Sequence, residues 1–238
     1  MLAIIPAREG SKGIINKNIQ KLGNKTLIEH TILSAQKSKK IDKILISTDS
    51  QKISKIVSSL GIEVPFIRPK FLSRDSSQTI DVIKHGLKYL EKQNYVPDII
   101  CLLQPTSPFR DDSLIDKSIN LLINSNATSV ISVSKIKTHP YASFWLQQNF
   151  LKPFKLKFEK YSQRQTMSEL YFPTGAIYTF SLNTLKKYDS IYGPKIKPLI
   201  ISNEDKLDID EIFDLFVAEM KLLHWEDFKK NFNKLLTK

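Results

Sequence analysis

Cysteine is almost absent. The single thiol, Cys101, cannot form an internal disulfide, and its place in the run IICLL marks it as buried and inert. No stretch approaches the ~18 consecutive apolar residues that a membrane-spanning helix needs. The first residues also lack the order of a secretory signal, because a short apolar run comes first and the charges follow it. A cytoplasmic protein with no membrane partner is expected. Neither named phosphate-binding pattern is present, G-x-x-x-x-G-K-[ST] or G-x-G-x-x-G. His30, His85, His139 and His224 form no triad spacing with a serine or cysteine, so packing or surface roles are expected of them. Repeats, low-complexity tracts and linker-like segments are missing as well.

Acidic residues are in deficit, 24 against 36 lysines and arginines, which gives a net charge of +12. Two readings stay open: a lysine-rich solvated surface, or a small anionic substrate. The lysines are spread along the chain and not interleaved with aromatics as in a nucleic-acid platform, so no nucleic-acid partner is expected. Hydrophobic residues make up 41%, enough for a sizeable core in one domain spanning residues 1–238.

Strand and helix signals alternate through the first half. LAIIP, KILIST, DIICLLQ and TSVISVS read as buried strands. TLIEHTILSAQKS, SQKISKIVSSLG, TIDVIKHGLKYL and SLIDKSINLLINS read as helices; Leu27, Ile28, Thr31 and Ile32 share one face of the first. IEVPFI is short and extended. Strands without polar alternation, separated by helices, predict an α/β fold with a mostly parallel sheet covered on both faces. From about Lys135 to Tyr171 the pattern breaks into irregular, aromatic sequence, which reads as an inserted arm that pairs subunits or covers a site. LYFPTGAIYTF and KPLIIS restore strand character. A final helix from Asp210 to about Leu236 carries Ile212, Phe213, Phe216, Val217 and Met220 on one face.

In such sheets ligands bind beyond the carboxyl ends of the strands. The loop PAREGSKG leaves the first strand there. Gly10 and Gly13 allow close backbone approach, and Arg8, Lys12 and Lys17 would cradle negative charge. Asp49 in STDS reads as a helix cap, with a binding role as the alternative. RPKFLSRDSSQT brings Arg68, Ser73, Asp75, Ser77 and Thr79 ahead of a helix. Two prolines stiffen QPTSPFR around Gln104, Thr106, Ser107 and Arg110. In DKLDIDEIFD, Asp208 and Asp210 lie two apart and share a side of an extended segment. Paired carboxylates repel unless a cation joins them, which suits Mg²⁺ shared with substrate phosphates; alternatively Asp210 caps the helix and Asp208 is solvated. Asp205 and Asp214 are weaker candidates of the same kind.

Taken together and in order, IPAREGSKGIINKN, ISTDS, IRPKFLSRDSS, LLQPTSPFR, QRQTMSELYFPTGAIY and DKLDIDEIFD resemble the acylneuraminate cytidylyltransferase family over nearly the whole chain. The resemblance implies a GT-A-like nucleotidyltransferase fold and a homodimer whose arm reaches the neighbouring pocket. It implies that Arg8, Ser11, Lys12, Gly13 and Lys17 hold the CTP triphosphate, with Asn18, Arg68, Ser77 and Thr79 near the cytosine and ribose. Gln104, Arg164, Gly175 and Tyr178 would line the sugar-acid pocket. Asp208 and Asp210 would hold Mg²⁺, or Mn²⁺ in its place. Arg8, Lys17, Asp208 and Asp210 are then the candidate catalytic residues.

The sugar side departs from the pattern. Members using ordinary sialic acid tend to carry R-P-N-G where this chain has Phe172-Pro173-Thr174-Gly175, and a lysine often found after the HP pair is replaced in His139-Pro140-Tyr141-Ala142. Phe172, Thr174 and Ala142 are expected to make the pocket less polar, which favours a legionaminic-type acid over N-acetylneuraminic acid. The run Ser11-Lys12-Gly13 argues against the ketodeoxyoctonate enzymes, which usually carry S-x-R. The expected reaction transfers CMP from CTP to a nine-carbon sugar acid and releases pyrophosphate. Competing readings are a nucleotidyltransferase acting on another sugar acid or a sugar phosphate, and a non-catalytic basic nucleic-acid-binding protein.

Overall fold

The computed structural model describes residues 1–11, 13–154 and 168–236, with the side chains of 233–236 excepted. In chain order the elements are β1 (Leu2–Pro6), β2 (Lys21–Leu22), β3 (Lys25–Thr26), α1 (Leu27–Lys37), β4 (Lys43–Ser47), α2 (Gln51–Ser59), α3 (Thr79–Lys92) and β5 (Ile99–Leu102). There follow α4 (Asp112–Ile123), β6 (Ser129–Lys135), β7 (Phe144–Gln147), β8 (Phe150–Pro153), β9 (Tyr171–Ser181), α5 (Leu182–Tyr188), β10 (Ile196–Ile200) and α6 (Ile212–Leu236).

The apolar runs form one six-stranded sheet in the order β10-β6-β9-β5-β1-β4. β1 pairs in parallel with β4 and β5, and β10 with β6, while β9 runs antiparallel between β5 and β6. β1 explains why its sequence shows no polar alternation. Ala3 and Ile5 face Ile28 and Ile32 of α1, Val57 of α2 and Ile119 of α4; Leu2 and Ile4 face Ile83 and Leu90 of α3 and Leu185 of α5. Each fully buried side chain of this kind contributes about 1.5–3 kcal/mol. The mostly parallel, doubly covered sheet expected from the sequence is therefore present.

Local signals set the helix starts. Thr26 and Glu29 form a capping box at α1. Ser50, Asp111 and Ser181 cap α2, α4 and α5 through their side chains. Asp49 is thus not the cap of α2, because the hydroxyl of its neighbour takes the Ile53 amide.

Two expectations change. The arm segment is not wholly irregular: β7 and β8 form a hairpin whose Gln148 and Asn149 both have positive φ, the backbone of a tight two-residue turn. Every described residue of the two strands is exposed, including Trp145 at 55% and Phe150 at 74%. The apolar face of α6 does not enter the core: Ile212, Phe213, Phe216 and Met220 are open to solvent and Val217 is half-buried. The helix docks instead through Leu215 and buried Ala218 against Leu22 and Phe109, and Glu219 accepts the Gly23 amide at 2.9 Å. These contacts lie on the other side of the helix from the large apolar residues that the periodicity singled out.

Candidate functional site

β1 sends the chain to the carboxyl edge of the sheet, where its two neighbours diverge in sequence. There Asn18, itself buried, donates from Nδ2 to the Arg8 carbonyl at 2.9 Å. Asn16 turns the backbone left-handed into a single 3-10 turn, Lys17–Ile19. The loop folds back, and Arg8, Ser11, Gly13, Lys17 and Asn18 line a cleft of about 610 Å³. Glycine is required at position 13, because a Cβ there would meet the Asp210 carbonyl oxygen at 2.3 Å.

The segment after β10 makes the facing wall. Ile209 is fully buried and donates its amide to the Thr106 carbonyl at 2.8 Å. That anchors an extended run in which Asp208 and Asp210 both reach the cleft. Asp210 accepts from Lys17 Nζ at 2.8 Å. Burial, with the Asp210 charge beside it, pushes the Asp208 carboxyl above the usual carboxylate value, against hydrogen bonds from Thr106 and Ser107 and the Lys17 charge. Asp210 does not cap α6. Asp214, in the first turn of α6, reaches back to accept the amides of Asp210 and Glu211 ahead of the helix. Asp205 turns away to Ser202 and Lys221.

A third wall comes from the stretch before α3. Arg68 is buried, donates from Nε to Ser73 Oγ at 3.0 Å and faces Asp49 at 3.7 Å. Burial and the nearby Arg8 lower its pKa, while Asp49 opposes the shift. Asp49 also accepts the Glu9 amide at 3.0 Å, so it ties two walls together. Ser77 Oγ donates to the Phe71 carbonyl and accepts the Arg74 amide, which shapes the turn that brings Arg74, Asp75, Ser77 and Thr79 to the cleft.

The fourth wall depends on an irregularity in β9. Ile131 pairs with Tyr178 and Val133 with Pro173, so residues 174–177 of β9 stand opposite Ser132 alone. Ser132 Oγ organises the bulge: it donates to the Ile177 carbonyl and accepts from the Ile177 amide and the Thr174 hydroxyl. Gly175, at φ 79°, is pressed towards the PTSP turn, where a Cβ would lie 2.8 Å from Gln104 Oε1 and 3.2 Å from Asp208 Oδ2. The buried Arg110 bonds both partners through Nη1, to the Gln104 carbonyl at 3.1 Å and the Ala176 carbonyl at 2.7 Å. Burial pushes its pKa down to about 9, which leaves it charged at neutral pH. Beyond Gln104 and Thr79 opens a side chamber of about 320 Å³, walled by Ile80, Tyr178, Ile191 and Tyr192.

The structure brings together Arg8, Ser11, Gly13, Lys17, Asn18, Arg68, Ser77, Thr79, Gln104, Asp208 and Asp210 around one cleft, with Gly175 packed behind Gln104 and Tyr178 in the adjoining chamber. Lys12 and Arg164 lie outside the described residues. The expectation that Thr174 lines a pocket fails: it is buried and its hydroxyl is bonded to Ser132, because the bulge turns it inward. Phe172 stays exposed beneath Lys206 Nζ, 5.2 Å from its ring. Sequence reasoning missed Glu211, Tyr192 and Ile191. Glu211 adjoins Asp210 in DKLDIDEIFD, a local signal that could have found it, whereas only the tertiary fold joins Tyr192 and Ile191 to the site. Among the described residues no group of three His, Cys, Asp or Glu side chains could hold a metal ion. Asp208 and Asp210 supply two hard oxygen donors, which suits Mg²⁺ completed by phosphate oxygens.

A family described as Cytidylyltransferase matches residues 2–221. The chain is 33% identical over 223 residues to the CMP-N,N'-diacetyllegionaminic acid synthase of Legionella pneumophila, covering 92% of this chain and 94% of that protein. It is 32% identical over 221 residues to the N-acylneuraminate cytidylyltransferase of Escherichia coli, covering 92% of this chain but only 51% of that longer protein. Among solved structures, a CMP:2-keto-3-deoxy-manno-octonic acid synthetase complexed with CTP superimposes with a TM-score of 0.69 at 15% identity, covering 93% of this chain and 97% of the other. At that identity the likeness speaks for the nucleotidyltransferase fold.

Proposed function

Because the chain belongs to the cytidylyltransferase family, we propose that its cleft binds CTP and transfers CMP to a nine-carbon sugar acid, releasing pyrophosphate. The observation that carries the proposal is the opposition of two sets of charges. Arg8, Lys17 and Arg68 line one part of the cleft, and Asp208 and Asp210 stand across from them, all at the carboxyl edge of the sheet.

The anomeric hydroxyl of the sugar attacks the α-phosphorus and passes its proton to the sugar's own carboxylate and on to water. A new O–P bond forms there, the bond to the β-phosphate bridge breaks in line, and pyrophosphate leaves with the electron pair. Such chemistry asks for alignment and charge stabilisation more than for covalent help. Arg8 and Lys17 take the charge that grows on the departing phosphates. Asp208 and Asp210 would hold Mg²⁺, which would draw charge from the triphosphate oxygens. Arg68, Ser77 and Thr79 line the part of the cleft assigned to the nucleoside. Gln104 opens onto the aromatic chamber of Tyr178 and Tyr192, which we assign to the sugar. The chamber sets Ile80, Leu102, Ile191 and the rings of Tyr178 and Tyr192 beside polar Gln78, Asp189 and Ser190, a mixture that suits acyl methyl and deoxy carbons together with amides, so a legionaminic-type acid is the preferred substrate, with N-acetylneuraminic acid as the alternative.

We assign one cytidylyltransferase unit to residues 1–238, working in the cytoplasm as a homodimer. Support for the dimer is the exposed hairpin β7–β8 with Phe144, Trp145, Leu146, Phe150 and Leu151, since an isolated two-stranded hairpin is marginal in water. Light scattering that gave a stable monomer at micromolar concentration would remove that part of the proposal. The decisive assay is pyrophosphate release from CTP and Mg²⁺ with a panel of nine-carbon keto acids. Turnover with UTP or GTP and a neutral sugar phosphate, and none with CTP, would refute the central reading. Equal or better turnover of N-acetylneuraminic acid than of a 5,7-diacylamido-9-deoxy acid would refute the preference.

A further inference from the structure

The cleft holds an acid that the transfer of CMP does not use. Asp75, in the turn between Leu72 and α3, lines the same space as the phosphate loop, and its Oδ1 lies 2.6 Å from Arg8 Nη1. We propose that Asp75 stands in for a substrate phosphate on Arg8, so that it sets the affinity of the cleft for polyphosphate by competing for that guanidinium.

Three features of the surroundings point this way. The first is that the Arg8 main chain is held independently of its side chain, because Asn18 Nδ2 grips the Arg8 carbonyl and Glu9 N donates to Asp49. The guanidinium can therefore change partners without the loop rebuilding. The second is that the turn carrying Asp75 is fastened on both sides of it. Arg68 bonds Ser73, and Ser77 bonds the Phe71 carbonyl and the Arg74 amide. Asp75 is consequently presented to Arg8 by a fixed backbone and stays near the cation after displacement. The third is that Arg8 and Asp75 keep 32% and 44% of their side-chain surface in contact with solvent, so an incoming anion reaches the pair directly. Arg68 and Asp49, by contrast, are 3% and 20% exposed and form a fixed strut.

A pair this exposed is weak, and exchanging it for a doubly charged phosphate is favourable. The displaced carboxylate then stands beside the phosphates as a like charge, which lowers affinity and speeds the departure of pyrophosphate. The effect acts on phosphate oxygens alone, so the base and ribose should not sense it.

This inference rests on the nucleotide reading of the cleft, and its test separates the two. Binding of CTP, inorganic pyrophosphate and cytidine is measured by calorimetry on the full-length protein and on Asp75→Asn, in EDTA so that no divalent ion intervenes. Removing the carboxylate should tighten CTP and pyrophosphate about two- to fivefold, the size of an exposed ion pair, and leave cytidine unchanged. The gain should shrink as salt rises. Asp75→Ala must shift both anions in the same direction, which excludes an effect of the new amide. Unchanged or weaker pyrophosphate binding in both variants overturns the role of Asp75. Pyrophosphate binding without any CTP binding would refute the cytidylyl reading instead, and the pyrophosphate comparison would still decide what Asp75 does.

Discussion

Gly175→Ala should separate two costs that a glycine at a functional bulge normally hides. Gly175 has φ 79°, and the left-handed region costs a residue with a Cβ about 1–2 kcal/mol. For a chain of this size that strain lowers the melting temperature by about 2–8 °C. The second cost is steric. The new Cβ would lie 2.8 Å from Gln104 Oε1 and 3.2 Å from Asp208 Oδ2, whereas ordinary contact begins at 3.4 Å. The Gln104 amide must retreat by about 0.6 Å and the Asp208 carboxylate by about 0.2 Å. Both are ends of side chains, so they can yield at modest cost to stability. They also line the cleft, where a displacement near 1 Å costs about 10²-fold in rate. A loss of roughly ten- to a hundredfold in kcat/KM is therefore expected. Gly61 supplies the control. It has φ 75° and nothing within 4 Å of where a Cβ would stand, so Gly61→Ala carries the strain without the contact. Both variants should melt lower by similar amounts, and only Gly175→Ala should lose turnover. Thermal melts and pyrophosphate release measure the two quantities. Full activity in Gly175→Ala, or an equal loss in Gly61→Ala, would refute the placement of Gln104 and Asp208 against the bulge.

Other consequences can be checked directly. Asp208 binds its proton more tightly folded than unfolded, so its favourable contribution is complete below the usual value of 3.8 and is lost as pH rises through the raised folded value. Without divalent ions, Asp208→Asn should melt above wild type at neutral pH, with the gap closing as the medium is acidified; a lower melt at neutral pH contradicts this. Its turnover should nonetheless fall by two to three orders of magnitude, as when a preorganised charge stabiliser is lost. Arg8→Ala and Lys17→Ala should raise the KM for CTP by roughly tenfold or more while the melting temperature holds, and the reverse pattern would make the loop structural. Cys101 is fully buried and pushed up to about 11, so iodoacetamide should label it in urea and not in the folded chain.

The sheet was legible because β1, β4 and β5 are buried on both faces, and such strands advertise themselves as unbroken apolar runs. The carboxylate pair was legible because the alternation Asp208-Ile209-Asp210 is itself the geometry: the middle residue goes to the core and its neighbours go to the cleft. What sequence could not convey depends on partners distant along the chain. Thr174 looked like a pocket residue until Ser132, 42 positions away, took its hydroxyl. Periodicity marked one apolar face of α6, yet the helix docks through Ala218 and Leu215 because Leu22 and Phe109 wait on that side. Asp49 looked like a cap because a helix follows it, but the serine beside it is better placed and leaves the carboxylate for Arg68. Tyr192 joins the chamber only because α5 and the turn after it fold back over β5 and β9.

The pairing of Lys17 with Asp210 spans 193 residues. At ribosomal speeds of about 5–20 residues per second, roughly 10–40 s separate the synthesis of the two side chains. Throughout that interval the nascent chain carries the loop after β1 with its cations and neither acid of the opposite wall. Gly13 has no Asp210 carbonyl to pack on, and Thr106 has no Ile209 amide to receive. The cleft thus cannot be completed before the segment after β10 is made, and a chain released just short of Asp208 carries every described cation of the site and neither Asp208 nor Asp210.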